Sequence, residues 1–184
     1  GGMSKLTLIS SATASGSASV SFTSGIDSTY DGYVFYYVNI HGSASNASFE
    51  FNGSSDGGSN YNVIKTTTQF SAQHNESGSG SALFYDTGRD TAQGTGFQIL
   101  NFYVDGAAAD TSACGDLSLF SPSSTTYVKH FYSTSQYVYY DASSPYSINS
   151  YNAGYLNTTS AVNAIRFQMN SGTFDGNIYM FGAS

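Results

Sequence analysis

The stretch Tyr33-Val34-Phe35-Tyr36-Tyr37-Val38-Asn39-Ile40 decides the fold class. Aromatic and β-branched residues fill it, which is the composition of a β-strand. Because apolar side chains occupy both alternating sets of positions, the stretch predicts a central strand that is covered on both faces. Elsewhere, apolar and polar residues alternate with the period of two that marks half-buried strands. Such segments lie at residues 6–8, 20–22, 49–51, 117–119 and 165–169.

Clusters of Gly, Ser, Asn, Asp and Pro separate these segments at spacings typical of β-sandwiches. Helix content should be small, since only residues 90–98 could hold one helical turn, ahead of a strand over 97–104. About ten or more short strands favour two packed sheets, because an open sheet would leave long aromatic edges exposed. The sequence therefore predicts an all-β, single-domain antiparallel β-sandwich of jelly-roll type over residues 3–184, with Gly1 and Gly2 as a leader.

Composition excludes several classes of protein. The chain has 184 residues, of which 16% are aromatic and only 9% are charged, and its formal net charge is -7. The negative balance disfavours nucleic acid as a partner, because phosphates would be repelled. No run approaches the roughly 20 apolar residues that cross a bilayer, so we expect no membrane insertion. A surface rich in Ser, Thr, Asn and Gly is insensitive to salt, which suits an extracellular or virion setting.

Three motifs resemble catalytic signatures, and none predicts an enzyme. Ser55 lies in a G-x-S-x-G pattern, but it opens a polar loop where a nucleophile elbow would open a helix. Asp86 begins a D-T-G triplet that lacks the second copy an aspartic protease needs. Glu50 lies between Phe49 and Phe51 and could face a sheet cleft. A glycosidase using Glu50 with a loop Asp is the least favoured hypothesis, because glycosidases need two facing carboxylates.

The sequence predicts no metal and no cofactor. Its three histidines lie in unrelated segments without ligand spacing, and the single Cys114 supports neither a zinc site nor an internal disulfide. A bound calcium ion is the alternative, because two loops carry oxygen ligands, although neither fits an EF-hand. The first loop has Asp56, Asn60 and Asn62, and the second has Asp86 and Asp90.

Residues 135–155 form the densest patch of Tyr, Ser and Asn. Tyr offers a large contact area with few rotors, and Ser and Asn adapt their hydrogen bonds, a mixture favoured in binding loops. The same composition suits a strand core or a subunit contact, which is the interpretation we favour. The candidate ligand-binding residues are Tyr137, Tyr139, Tyr140, Tyr146, Asn149, Tyr151 and Asn152.

Three stretches resemble uncharacterised structural proteins of tailed phages, especially marine and cyanophage-like ones. They are residues 22–30 leading to residues 33–35, then residues 121–131, and residues 154–159 through residues 174–182. The resemblance implies a virion-surface component on a lectin-like sandwich, such as a capsid decoration, a head fibre or a tail-fibre component. No functional residues carry over from it.

Two main hypotheses follow. In the first, the protein is a non-enzymatic virion structural protein on the particle surface, which forms homo-oligomers and contacts other virion proteins. In the second, it is a carbohydrate- or host-receptor-binding module whose Tyr-rich face contacts a host-surface glycan. If the protein is cellular in origin, it would be extracellular, as a secreted or surface-layer filament subunit, because edge strands also serve polymerisation.

Overall fold

The computed structural model describes residues 5–104, 108–141 and 143–184, which form thirteen β-strands and no helix. The leader assigned to Gly1 and Gly2, and Met3 after it, lie outside this part. The strands are β1 (Leu6–Ser17), β2 (Ser19–Phe22), β3 (Gly32–Gly42), β4 (Phe49–Ser54), β5 (Lys65–Asn75), β6 (Ser81–Tyr85), β7 (Thr91–Gly94), β8 (Gln98–Asn101), β9 (Ala113–Phe120), β10 (Lys129–Tyr139), β11 (Tyr146–Leu156), β12 (Ala164–Met169) and β13 (Phe174–Ala183).

The strands form two antiparallel sheets. The larger has nine strands in the order β1-β13-β3-β9-β10-β11-β5-β6, and β7 also pairs with β5. The smaller has the order β2-β12-β4-β8. This arrangement confirms the predicted all-β antiparallel sandwich with little helix. The jelly-roll connectivity stays a prediction.

Residues 90–98, where the sequence allowed one helical turn, contain no helix. Residues 91–94 form β7, which pairs with β5 through Lys65 opposite Gly94 and Thr67 opposite Thr91. The Thr91 backbone N–H also donates to Thr67 Oγ1 over 3.0 Å. Pairing with a strand distant in sequence therefore overrides the weak local preference for a helical turn.

Strand β3 lies inside the larger sheet, between β13 and β9, as its composition predicted. Tyr33, Phe35 and Tyr37 face the core and are fully buried. Tyr36 and Val38 face outward and remain 38% and 37% exposed, so the prediction that both faces are covered is wrong for the single chain. Among the described residues, none forms a second layer over the outer face of the larger sheet at β3.

Aromatic rings fill the space between the two sheets. Phe167 of the smaller sheet stacks on Phe49, with ring centroids 5.7 Å apart and planes 10° apart. Phe51 meets Phe131 of the larger sheet edge to face at 5.0 Å. Such edge and stacked pairs add to the free energy gained by burying the rings themselves.

The inner face of β5, β10 and β11 carries buried polar side chains beside those of the apolar core, and strand β8 covers part of it. Gln98 of β8 lies at the centre of a buried hydrogen-bond network. Thr67 Oγ1 donates to Gln98 Oε1 over 2.7 Å, and Gln98 Nε2 donates to Asn152 Oδ1 over 3.1 Å. Asn101 Nδ2 donates to Ser135 Oγ over 2.6 Å. Buried polar groups with such partners fix the register of the strands.

Candidate functional site

Four of the seven candidate residues face the interior of the sandwich. They lie on β10 and β11, whose side chains alternate between the two faces of the sheet. Tyr137 and Asn152 are each only 2% exposed, and Tyr139 and Tyr146 pack against the core. Burial raises the pKa of Tyr137 to about 12. The prediction that Tyr137 and Asn152 contribute to an exposed binding face is therefore corrected: both are interior residues.

The inward-facing tyrosines Tyr137 and Tyr139 border a cavity of about 180 Å³ at one end of the sandwich. Arg89 also lines it, with its guanidinium carbon 3.5 Å from the ring centroid of Phe102. Arg89 forms an ion pair with Asp86, the first residue of the D-T-G triplet. Asp86 therefore anchors a loop arginine.

Asn149, Tyr151 and Tyr140 do not face the interior. Tyr140 follows the end of β10 and is 41% exposed. Asn149 and Tyr151 lie on the outer face of the larger sheet, and Asn149 Nδ2 donates to the Tyr151 hydroxyl over 2.9 Å. Tyr151 stacks on Phe70 of β5, with ring centroids 4.7 Å apart and planes 7° apart.

A single row of cross-strand partners runs over the outer face, and we call it the outer row. It follows from the strand register, which places directly paired residues on the same side of a sheet. Its members, in spatial order, are Tyr179, Tyr36, Asp116, Thr134, Tyr151, Phe70 and Tyr85. Aromatic side chains therefore flank a polar centre formed by Asp116 and Thr134.

A groove of about 490 Å³ lies over this polar centre, and we call it the Asp116 groove. Its lining includes Tyr36, Asp116, Thr134, Gln136 and Asn149. The side chains come from β3, β9, β10 and β11, which are neighbours in the sheet although five other strands separate β3 from β9 along the chain. No single stretch of sequence contains this site.

Gly115 forms part of the groove floor. A Cβ atom at this position would lie 2.7 Å from the Tyr37 hydroxyl and 2.6 Å from Ser135 Cβ. Both distances are too short for a side chain, so the glycine permits the close approach of Tyr37. The buried Tyr37 hydroxyl lies beside those of Ser133 and Ser135 but makes a well-formed hydrogen bond to neither, and burial raises its pKa.

Hydrogen bonds hold the polar groups of the groove in place. The Thr134 backbone N–H donates to Asp116 Oδ1 over 3.1 Å, and Gln136 Nε2 donates to Ser147 Oγ over 2.8 Å. Within the described part of the chain, Asp116 Oδ2, Gln136 Oε1 and Asn149 Oδ1 accept no hydrogen bond. The groove therefore presents oriented oxygen atoms that are free to accept hydrogen bonds from a ligand or from solvent.

The outer row ends at β6, an edge strand whose sequence, Ser81-Ala82-Leu83-Phe84-Tyr85, carries no charge. Leu83 is 74% exposed, and Tyr85 and Phe70 beside it are 52% and 43% exposed. We call Leu83, Tyr85 and Phe70 the β6 patch. It is an apolar surface next to unpaired backbone groups.

The carboxylates of Glu50 and Asp56 both accept hydrogen bonds from neighbouring side chains. Glu50 is nearly buried on β4, where Gln168 Nε2 donates to its Oε1 over 3.0 Å, and burial raises its pKa. The Asp56 carboxylate accepts hydrogen bonds from Ser54 Oγ and from the backbone and side chain of Asn60. These hydrogen bonds join the two ends of the loop that contains exposed Ser55. They also lower the pKa of Asp56 to about 2.

Among residues 5–104, 108–141 and 143–184, no group of three or more His, Cys, Asp or Glu side chains is placed to hold a metal ion. The same residues contain no helix long and apolar enough to cross a membrane. No protein-family model matches the chain, and neither does any curated protein or solved structure.

Proposed function

We propose that the protein is a non-enzymatic structural subunit that self-associates through β6, on the surface of a virion. The observation that carries this proposal is the exposed, uncharged edge strand with Leu83 at its centre. Soluble β-proteins usually protect such edges with charges, Pro, bulges or a covering segment. The uncharged sequence of β6 and the exposure of Leu83 leave this edge open to pairing.

A second copy of the chain is the partner that fits this edge. Antiparallel pairing of β6 with the β6 of another copy would continue the sheet and satisfy the free backbone groups. The pairing is two-fold symmetric, so the β6 patches of the two copies would lie side by side on one continuous sheet face and contact each other across the symmetry axis. Partial burial of Leu83 in this contact would contribute less than the roughly 1.5–3 kcal/mol of complete burial.

Support for the virion-surface setting comes from the sequence. It consists of the low charge, the uncharged polar surface and the resemblance to phage structural proteins. In that setting, other virion proteins are further partners. A secreted or surface-layer filament subunit would use the same edge.

Light scattering coupled to size-exclusion chromatography tests the proposal across a wide concentration range. We expect an even-numbered oligomer of the unmodified chain, and a monomer for Leu83→Lys, which places a charge on the edge. Leu8→Lys is the matched control, because Leu8 is also exposed on an edge strand, β1, at the other side of the same sheet. A monomeric unmodified chain, or dissociation by Leu8→Lys alone, would contradict the role of β6.

A further inference from the structure

We infer that the Asp116 groove binds a neutral oligosaccharide. The lining of the groove shares only Asn149 with the candidates predicted from the sequence, and Tyr151, a second candidate, lies beside it in the outer row. No groove-lining residue belongs to the β6 patch, so the inference does not depend on self-association. Its groove volume, about 490 Å³, lies in the range of roughly 300–1,000 Å³ that is usual for ligand sites.

The aromatic side chains around the groove suit sugar rings. Tyr36 and Tyr151 flank Asp116 and Thr134 in the outer row, three strand spacings apart, or about 14 Å. Tyr36 packs edge-on against Phe181 at 5.6 Å, and Tyr151 is held flat against Phe70. Two tyrosines fixed in this way offer apolar ring surface together with a polar tip, at little cost in side-chain entropy.

The polar groups that line the groove select the chemistry of the ligand. Asp116 Oδ2, Gln136 Oε1 and Asn149 Oδ1 are acceptors, and the bonds made by the other atoms of these side chains hold them in position. Such a preorganised set loses little entropy on binding. Several acceptors in one groove require a ligand with several donors, and the adjacent hydroxyls of a sugar meet that requirement.

Charge determines which sugars can bind. The carboxylate of Asp116 and the net charge of -7 repel sulfated, phosphorylated and sialylated glycans. A neutral glycan donates to Asp116 without that repulsion. The acceptor set and the charge together favour neutral hydroxyl donors.

A printed array of neutral, sialylated and sulfated glycans tests the inference, followed by calorimetric titration with the neutral glycan that binds most strongly. We expect binding to neutral glycans only. Thr134→Lys, which fills the groove from an exposed position, should weaken that binding by at least about tenfold. Thr68→Lys is the matched control, because Thr68 is exposed on the same face outside the groove, and it should leave the affinity unchanged.

Three results would overturn the inference: no neutral glycan bound, acidic glycans preferred, or equal affinities for the Thr134→Lys and Thr68→Lys variants. Tyr36→Ala gives a second measurement should Thr134→Lys fold poorly, and binding unaffected by it would contradict the role of Tyr36. Solution mass separates this site from the β6 edge. Thr134→Lys should keep the mass of the unmodified chain, and Leu83→Lys should keep its glycan affinity.

Discussion

Lys65 and Lys129 lie in one cross-strand row on the inner face of the larger sheet, on either side of Leu156. Both side chains are buried. Lys129 Nζ donates to the carbonyl oxygens of Ser124, Tyr127 and Thr158, whereas Lys65 Nζ donates to the carbonyl of Gly96. The two ammonium groups therefore tie loops to the sheet with unequal numbers of bonds.

The first prediction concerns Lys65, whose pKa burial lowers to about 8. Between that value and its usual value of 10.5, the unfolded chain binds the proton and the folded chain releases it. The free energy of unfolding should therefore rise with pH in this window, by up to about 3 kcal/mol. We expect Lys65→Met to remove most of the rise, as measured by urea unfolding at pH 8, 9 and 10.

Lys129→Met is the comparison for that experiment. It should destabilise the protein by roughly 1–3 kcal/mol at pH 7, because three carbonyl groups lose a charged donor. If the free energy of unfolding of Lys65→Met rose between pH 8 and 10 as steeply as that of the unmodified chain, the titration of Lys65 would not be the source of the rise.

The second prediction concerns Glu50, whose pKa burial raises above the ordinary value of 4.5. The protonated form is therefore favoured by folding, and its contribution to stability is lost as the pH rises through the folded pKa. Glu50→Gln should raise the melting temperature at pH 7 and leave it nearly unchanged at pH 4, because Gln168 can still donate to the new amide. Scanning calorimetry at both pH values measures this.

Glu76→Gln is the matched control, since Glu76 is the other glutamate and is exposed. It should not reproduce the increase. A lower melting temperature for Glu50→Gln at pH 7 would show that the charged carboxylate stabilises the fold.

The third prediction concerns the unpartnered hydroxyl of Tyr37. Its removal in Tyr37→Phe deletes a buried polar atom without breaking a hydrogen bond, so the free energy of unfolding should stay the same or rise. Tyr33→Phe is the control, because the Tyr33 hydroxyl donates to the Asp27 carbonyl over 2.8 Å and accepts from the Asp27 N–H over 3.0 Å.

We expect Tyr33→Phe to cost about 1 kcal/mol or more in chemical unfolding at pH 7. Equal destabilisation by the two substitutions would mean that the Tyr37 hydroxyl has a partner in the free protein.

Local patterns were sufficient to predict the strands but not their surroundings. The composition of residues 33–40 identified an internal strand, because side-chain chemistry reports burial directly. The bulge at Asn39, which has a φ of 53°, was not visible in the same letters, although it shifts the pairing of β3 with β9. Whether Tyr36 is covered depends on a second layer, which no local pattern specifies.

The candidate residues show a similar division. The alternation of side chains along β10 distinguishes inward-facing Tyr137 from the outward-facing residues beside it. The composition of residues 135–155, on which the candidates were chosen, does not contain that information. Prediction of the Asp116 groove requires the strand order β3-β9-β10-β11, because this order brings Tyr36, Asp116 and Asn149 together from distant parts of the chain. Gly115, a lone glycine between alternating residues of β9, was the one local hint of a close backbone approach.

Strand β9 separates the Asp116 groove from the core, and Gly115 lies close to Tyr37 on the core side. Gln136 and Asn149 can be exchanged without disturbing the interior, so ligand preference can diversify at these positions. A side chain at position 115 would instead displace Tyr37 and the packing behind it. Evolution of a new specificity is therefore free at the rim of the groove and constrained at its floor.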